Sequence, residues 1–391
     1  MTPSPKSKRI LALDVMRGIT IAGMILVNNP GGGGEVFAPL CHAQWIGLTP
    51  TDFVFPFFMF IMGITTFISL RKYDFQPSAQ AIKKIVVRTI VIMLVGAFIS
   101  FFAHFVYYWG GADAAKGFGT QVFEALNVLP TLRLTGVLYR LAICYCIVAI
   151  LALLVNHKWF PWIITALFVG YFLILEFGNG YAYDETNIIA IVDNALLGPA
   201  HVYRYETVDP EGLLSTIPSV AHVMIGFMAG RMMLGRQTAD EAVTNDTGNI
   251  SRLITITTKL FILGTALLVA GFLLSYACPI SKKLWTPTFS MVTCGFGALV
   301  LALLIYIIDI RGKKGWSRFF EAFGVNPLFL YVMSDIFAIL LGVSFYAPIS
   351  EFLVSIFGHS GGPLAYALLF VLLNYAVVAL PLYKHKIYIK I

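Results

Sequence analysis

The sequence predicts an all-α fold, a polytopic transmembrane bundle of about ten helices. Three observations carry that expectation. Hydrophobic residues make up 58% of the chain and charged residues only 12%, with a mean hydropathy of +0.82, whereas soluble domains are roughly one quarter charged. Apolar runs recur between short polar connections, each near the roughly 20 residues that a helix needs to cross a bilayer core about 30 Å thick. The runs are also continuous and rich in Leu, Ile, Phe and Val, unlike the alternating segments of about ten residues that build a membrane β-barrel.

The elements follow in order. The run 10–28 stands behind the basic opening MTPSPKSKR, keeps Asp14 and Arg17 inside it and ends on no small-residue cleavage site, so it reads as a retained first helix. The run 50–70 has Thr49 as a cap and Pro50 in its first turn. Runs 85–107, 135–155 (with Arg140) and 159–177 come next. The segment DPEGLLSTIPS leads into 213–234 with Ser215 and Thr216 as caps. After 256–276, the segment KKLWTPTFS opens 286–308 with Pro287 as a breaker that frees backbone groups. In 319–342 the pair Asn326–Pro327 predicts a kink, and 363–383 is the last run. No internal repeat or soluble insert interrupts the series, so residues 1–391 read as one domain.

Charge orients the bundle. The formal net charge is +7, but Lys and Arg cluster in short loops and build no basic domain, which excludes nucleic acid as partner. Lys6, Lys8, Arg9, Arg71, Lys72, Lys83, Lys84, Arg236, Arg311, Lys313, Lys314 and Lys390 fall on the side of the amino terminus, and only Lys116, Arg133, Arg204, Lys282 and Lys283 on the other. That asymmetry predicts cytoplasmic amino and carboxyl termini in a multi-pass protein of the inner (cytoplasmic) membrane. The outer loops 29–49, 108–134 and 178–212 are long, and the last carries Asp184, Glu185, Asp193, Glu206, Asp209 and Glu211. The inner face is basic, a sign that suits an anionic ligand. Five cysteines without a CxxC pair form neither a disulfide framework nor a zinc site, and no metal is expected; a Cys41–Cys278 disulfide on the outer face stays open.

The densest polar constellation spans 27–63 and sets Asn28, His42, Trp45 and Asp52 together. Gly31 to Gly34 let this loop fold back into the bundle mouth, where His42 can approach Asp52. An imidazole beside a carboxylate is what general-base catalysis needs; the competing reading is a loop histidine and a helix-cap aspartate. Asp14 and Arg17, three apart in the first helix, are either an internal ion pair or an anion site. Arg140 either pairs with Asp52 or Glu211 or stabilises a developing negative charge. Asp209, Glu211, Lys282 and Trp285 gather at the outer mouth, Trp285 reading as interfacial anchor or ligand platform, and Asn326 as kink or ligand contact.

Through LDVMRG, VNNPGG, HAQWIGLTPTDFVFPFFMFIMG, LYRLAICY, DPEGLLSTIPS, KKLWTPTF and FGVNPL, the chain resembles the heparan-alpha-glucosaminide N-acetyltransferase family, its shorter bacterial members included. The resemblance implies acetyl-CoA as co-substrate from the cytoplasm, the amine of a glucosamine-type sugar or glycan end as acceptor on the far side, and a homodimer. It implies His42 as the essential histidine with Asp52 and Asn28 as companions, acting as a base or as an acetyl carrier. Trp45, Arg140, Asp209, Glu211, Lys282 and Trp285 are then candidates for the sugar, and Asp14, Arg17 and Asn326 for acetyl-CoA. An extra proline and a longer stretch before His42 depart from the family pattern, which puts its sugar selectivity in doubt here. The rival function is an amino-sugar transporter, against which the absence of two related halves argues.

Overall fold

All ten apolar runs form helices in the computed structural model, which describes residues 10–111, 116–127, 130, 132–203, 205–234 and 246–389. Lys6, Lys8, Arg9, Arg204, Arg236 and Lys390, which entered the charge argument, lie outside the described residues. Among the described residues there is no strand. The helices are α1 (Leu11–Asn28), α2 (Val54–Leu70), α3 (Ala79–Gly111), α4 (Phe118–Leu126), α5 (Val137–Leu154), α6 (Phe160–Phe177), α7 (Ile188–Leu197), α8 (Thr216–Leu234), α9 (Asp246–Leu274), α10 (Pro287–Leu304), α11 (Ser317–Val325), α12 (Pro327–Ser344), α13 (Tyr346–Asn374) and α14 (Leu380–Lys384). Among the described residues nine spans are long and apolar enough to cross a membrane, and α11 with α12, bent by 88°, makes a tenth if the pair counts as one span.

That bend is far sharper than a proline kink, because the chain stops being helical at Asn326 and restarts with Pro327 in the first turn. The last span also departs from expectation: it begins at Tyr346, with a break at Gly358 (φ 77°), where a loop was expected. Pro287, expected to break a helix, instead starts α10, with Thr286 accepting from the Phe289 amide at 3.3 Å. The long loops 108–134 and 178–212 carry α4 and α7.

Burial sorts the spans. The most apolar window of α8 is 72% buried, against 22% for α3 and 17% for α6, so α8 is central and the other two face lipid. The α2–α8 contact is a close backbone crossing. A Cβ on Gly63 would stand 2.2 Å from the Val223 carbonyl oxygen, and one on Gly226 would stand 2.2 Å from that of Phe60. Backbone touches backbone there, so no side chain can move aside. We expect Gly63→Val to lower the melting temperature of the detergent-solubilised protein by several degrees, an overpacking cost of about 1–3 kcal/mol or more. An unchanged melting curve by fluorescence-detected size exclusion would contradict this packing.

Candidate active site

Asp52 is placed by the turn that opens α2. Pro50–Phe53 form a short 3₁₀ turn, and the Thr49 amide and hydroxyl both donate to Asp52 Oδ2, at 3.0 and 2.9 Å. The Ala43 amide donates to the same oxygen at 3.2 Å, which ties the preceding loop to the helix. Asp52 Oδ1 is left to face His42, with Nδ1 at 2.6 Å. The Asp52 side chain is wholly buried, while that of His42 is 46% exposed. A carboxylate held by three donors at a helix start stays ionised and orients the ring. With Nδ1–H pointing at Asp52, the lone pair of His42 sits on Nε2 of this half-exposed ring.

Lys282 completes the group. It comes from the segment between α9 and α10, and its Nζ lies 3.0 Å from His42 Nδ1, 3.2 Å from Nε2 and 3.8 Å from Asp52 Oδ1. Burial holds the Lys282 ammonium below the usual lysine range, against the opposing pull of Glu211 and Asp52. Ser281 Oγ donates to the Trp45 carbonyl at 2.6 Å and the Gly47 amide to that of Ile280 at 2.8 Å, so the lysine segment and the histidine loop are stitched together.

Other candidates take different places. Asn28 ends α1 exposed and, among the described residues, makes no hydrogen bond to His42 or Asp52. The glycine loop beside it does not fold over His42 but docks on α13: Gly31 N donates to the Pro363 carbonyl and Gly32 N to Ser350 Oγ, both at 3.1 Å. Trp45 donates Nε1 to the Tyr181 carbonyl at 2.9 Å and packs on Tyr183 at 4.7 Å. Asp209 and Glu211 are claimed by Arg133, at 2.5 and 2.9 Å, and Asp209 also accepts from Thr135 and the Tyr203 amide. Arg133 and burial oppose each other at Asp209, and the cation wins, holding the carboxyl below its ordinary value. This clamp joins the loop before α5 to the loop before α8, so Asp209 is structural; Arg133 was not among the candidate residues because it lies outside the apolar runs. Asp193 accepts from the Leu214 amide at 2.9 Å, and its burial pushes the carboxyl up to about 6.

Arg140 pairs with neither Asp52 nor Glu211. It donates to the Gly212 carbonyl at 2.8 Å and to Ser215 Oγ, with its guanidinium 5.1 Å from the Trp285 ring. Trp285 is wholly buried against Phe55, Phe289 and His222, so it is neither interfacial anchor nor sugar platform. Cys41 and Cys278 are free thiols, the first exposed and the second buried.

On the opposite side opens a cavity of about 940 Å³ between α2, α3 and the start of α12. Its polar lining holds Arg17, Lys83, Lys84, Arg88, Ser69 and Tyr73, and its apolar lining includes Phe58, Met62, Ile92 and Leu328. On α2 it runs from Ser69 to Phe58, roughly 16 Å at the helical rise, with Asp52 a further 9 Å or so along. Asp14 lies 3.4 Å from Arg17, whose Nη1 also donates to the Gly324 carbonyl at 3.2 Å; the carboxylate steadies Arg17 and does not line the cavity. Asn326 is saturated by the carboxyl-terminal segment, donating to the Ile387 carbonyl and accepting from the Ile389 amide, both at 2.8 Å. That accounts for the break between α11 and α12 and removes Asn326 from ligand binding. Lys84 was legible only as a cation at the edge of a span, Arg88 was missed, and their common cavity leaves no mark in the sequence.

No family model matches the chain. Similar curated proteins are the heparan-alpha-glucosaminide N-acetyltransferase of Homo sapiens, 26% identical over 84% of this chain, and that of Mus musculus, 24% identical over 86%. The chain spans about half the length of these relatives, 53% and 54%. Shared identity across 84% and 86% of the chain makes this polytopic membrane protein a distant relative of the heparan-alpha-glucosaminide N-acetyltransferases.

Proposed function

We propose that the chain is a transmembrane N-acetyltransferase that moves the acetyl group of acetyl-CoA to the amine of a glucosamine-type sugar on the opposite side of the membrane. The observation that carries this reading is the pairing of a buried carboxylate with a half-open imidazole at one mouth of the bundle, opposite a basic, apolar-walled cavity that climbs the same helix. The cavity suits acetyl-CoA in both halves: Lys83, Lys84, Arg88 and Arg17 for its phosphates, and Phe58, Met62 and Leu328 for its arm. On this reading the basic side and both termini are cytoplasmic, following the positive-inside asymmetry of the loops, and residues 1–391 act as one unit.

The chemistry follows from the geometry. The sugar nitrogen attacks the thioester carbonyl, and His42 Nε2 takes the proton that the nitrogen loses, while Asp52 supports the imidazolium through Nδ1–H. The carbonyl oxygen gains negative charge beside the Lys282 ammonium, which stands within 3.2 Å of Nε2. Collapse expels the CoA thiolate and leaves an N-acetyl amide. The transporter alternative needs Asp52, Asp209 and Glu211 to bind a cationic sugar, and two of the three, Asp209 and Glu211, are occupied by Arg133. Nor does the sequence show the two related halves that such transporters carry.

The test is acetyl transfer by purified protein from labelled acetyl-CoA to glucosamine; no N-acetylated product from wild-type protein would overturn the reading. The pH profile adds a second check. Because burial lowers the Lys282 pKa, the ammonium is present at low pH and is lost as pH rises through a value below the free-lysine range, so kcat should fall there. Lys282→Arg keeps its charge at high pH and should move that alkaline limb upward; an unmoved limb assigns it to another group.

A further inference from the structure

Beside the His42 group, on the same face, lies a second cavity of about 730 Å³ walled by residues of the segment 183–209. That lies in the upper part of the range of about 300–1,000 Å³ usual for small-ligand sites, room for more than one sugar unit. Tyr183, Tyr203 and Tyr205 line it together with Glu185, Asp193, Glu206 and Asp209, and among its described lining residues there is no lysine or arginine. Two sets of contacts link it to the reaction centre. Tyr183 packs on Trp45, three residues from His42, and Lys283, next to Lys282, pairs with Glu206 at 2.8 Å and lies 5.8 Å from the Tyr183 ring.

We infer that this cavity is an acceptor subsite for the sugar units behind the reacting amine, and that the acceptor is the end of a neutral or cationic amino-sugar oligomer, not a sulfated polyanionic glycan. The inference rests on the acetyl-transfer reading and names its substrate class. Tyrosine rings offer flat apolar faces to the C–H faces of pyranose rings, and their hydroxyls exchange hydrogen bonds with sugar hydroxyls. Arg133 and Lys283 answer two of the four carboxylates, Asp209 and Glu206; the cavity therefore keeps a negative balance among the described residues. A sulfate there would meet like charge, while a second ammonium would meet opposite charge. The relatives' name speaks of heparan, and the acidic lining of this chain argues that its acceptor differs.

The experiment compares initial rates of the purified full-length protein on glucosamine, a β-1,4-linked glucosamine trimer and a sulfated heparan-type oligosaccharide with a free terminal amine. The trimer should exceed glucosamine in kcat/KM by about tenfold, and the sulfated acceptor should fall below both. Tyr205 is 87% exposed and Glu185 is exposed, so both tolerate substitution without loss of fold. Tyr205→Ala and Glu185→Lys should each cut the trimer's advantage by about fivefold, and Glu185→Lys should raise the rate on the sulfated acceptor. A trimer no better than glucosamine, or a preference for the sulfated chain, overturns the subsite. If no acceptor is acetylated, the acetyl-transfer reading fails; calorimetric titration of the trimer then tests the cavity alone, and absent binding, or binding unaffected by Tyr205→Ala, overturns it too.

Discussion

Replacing His42 by alanine should cut acetyl transfer to glucosamine by roughly 100- to 10,000-fold, the range that one general base contributes. The ring is half exposed and its loop is tied down by other bonds, through Ala43 to Asp52 and through Trp45 to Ser281, so the variant should keep the wild-type melting curve. Asp52→Asn should cost nearly as much for a different reason. Its oxygen would still accept from Thr49 and Ala43, which turns the amide NH₂ towards His42 Nδ1. That ring nitrogen must then accept, the proton moves to Nε2, and the base is presented in the wrong tautomer. Rates on acetyl-CoA and glucosamine measured for both folded variants decide the matter: either one working at the wild-type rate removes the pair from the chemistry.

Neutralising the basic cavity should act on the other substrate. Lys84 is held by Ser69 Oγ at 2.8 Å, and the Arg88 guanidinium lies 4.6 Å from the Tyr145 ring, so both cations are fixed at the cavity wall. A charge-assisted phosphate contact is worth about 1.5–3 kcal/mol. Lys84→Ala should therefore raise the KM for acetyl-CoA about tenfold or more and Lys83→Ala/Lys84→Ala further, with kcat little changed because neither residue touches the reacting carbon. Acetyl-pantetheine, which lacks the nucleotide phosphates, supplies the control. Its KM should be insensitive to these substitutions, and equal losses with both donors would assign the lysines to fold maintenance.

Much of this protein was legible before any coordinates. The ten spans, the turn that caps α2 with Thr49 and Pro50, and the nearness of His42 to Asp52 all follow from residue type and short spacing, because a helix start and a ten-residue return are local events. Reading failed where the partner is remote. Arg140 was expected to answer a carboxylate but bonds a backbone carbonyl and a serine 72 and 75 residues away. Asn326 was a candidate ligand but holds a segment more than sixty residues on. Trp285 looked interfacial from its place at a span boundary, yet it is wholly buried.

The sequence by itself determined that the chain is a helical membrane bundle and how its helices follow one another, since only helices satisfy every backbone group within one continuous apolar run. It also brought His42 and Asp52 within reach of each other, and the structure pairs them at 2.6 Å. Tertiary structure alone decided which cations share a cavity, which carboxylates are answered by Arg133, and that Lys282 stands beside a histidine 240 residues distant in the chain. Charges find partners through packing between helices, and that packing is set by close contacts such as Gly63 against Val223, which leave no periodic mark in the sequence.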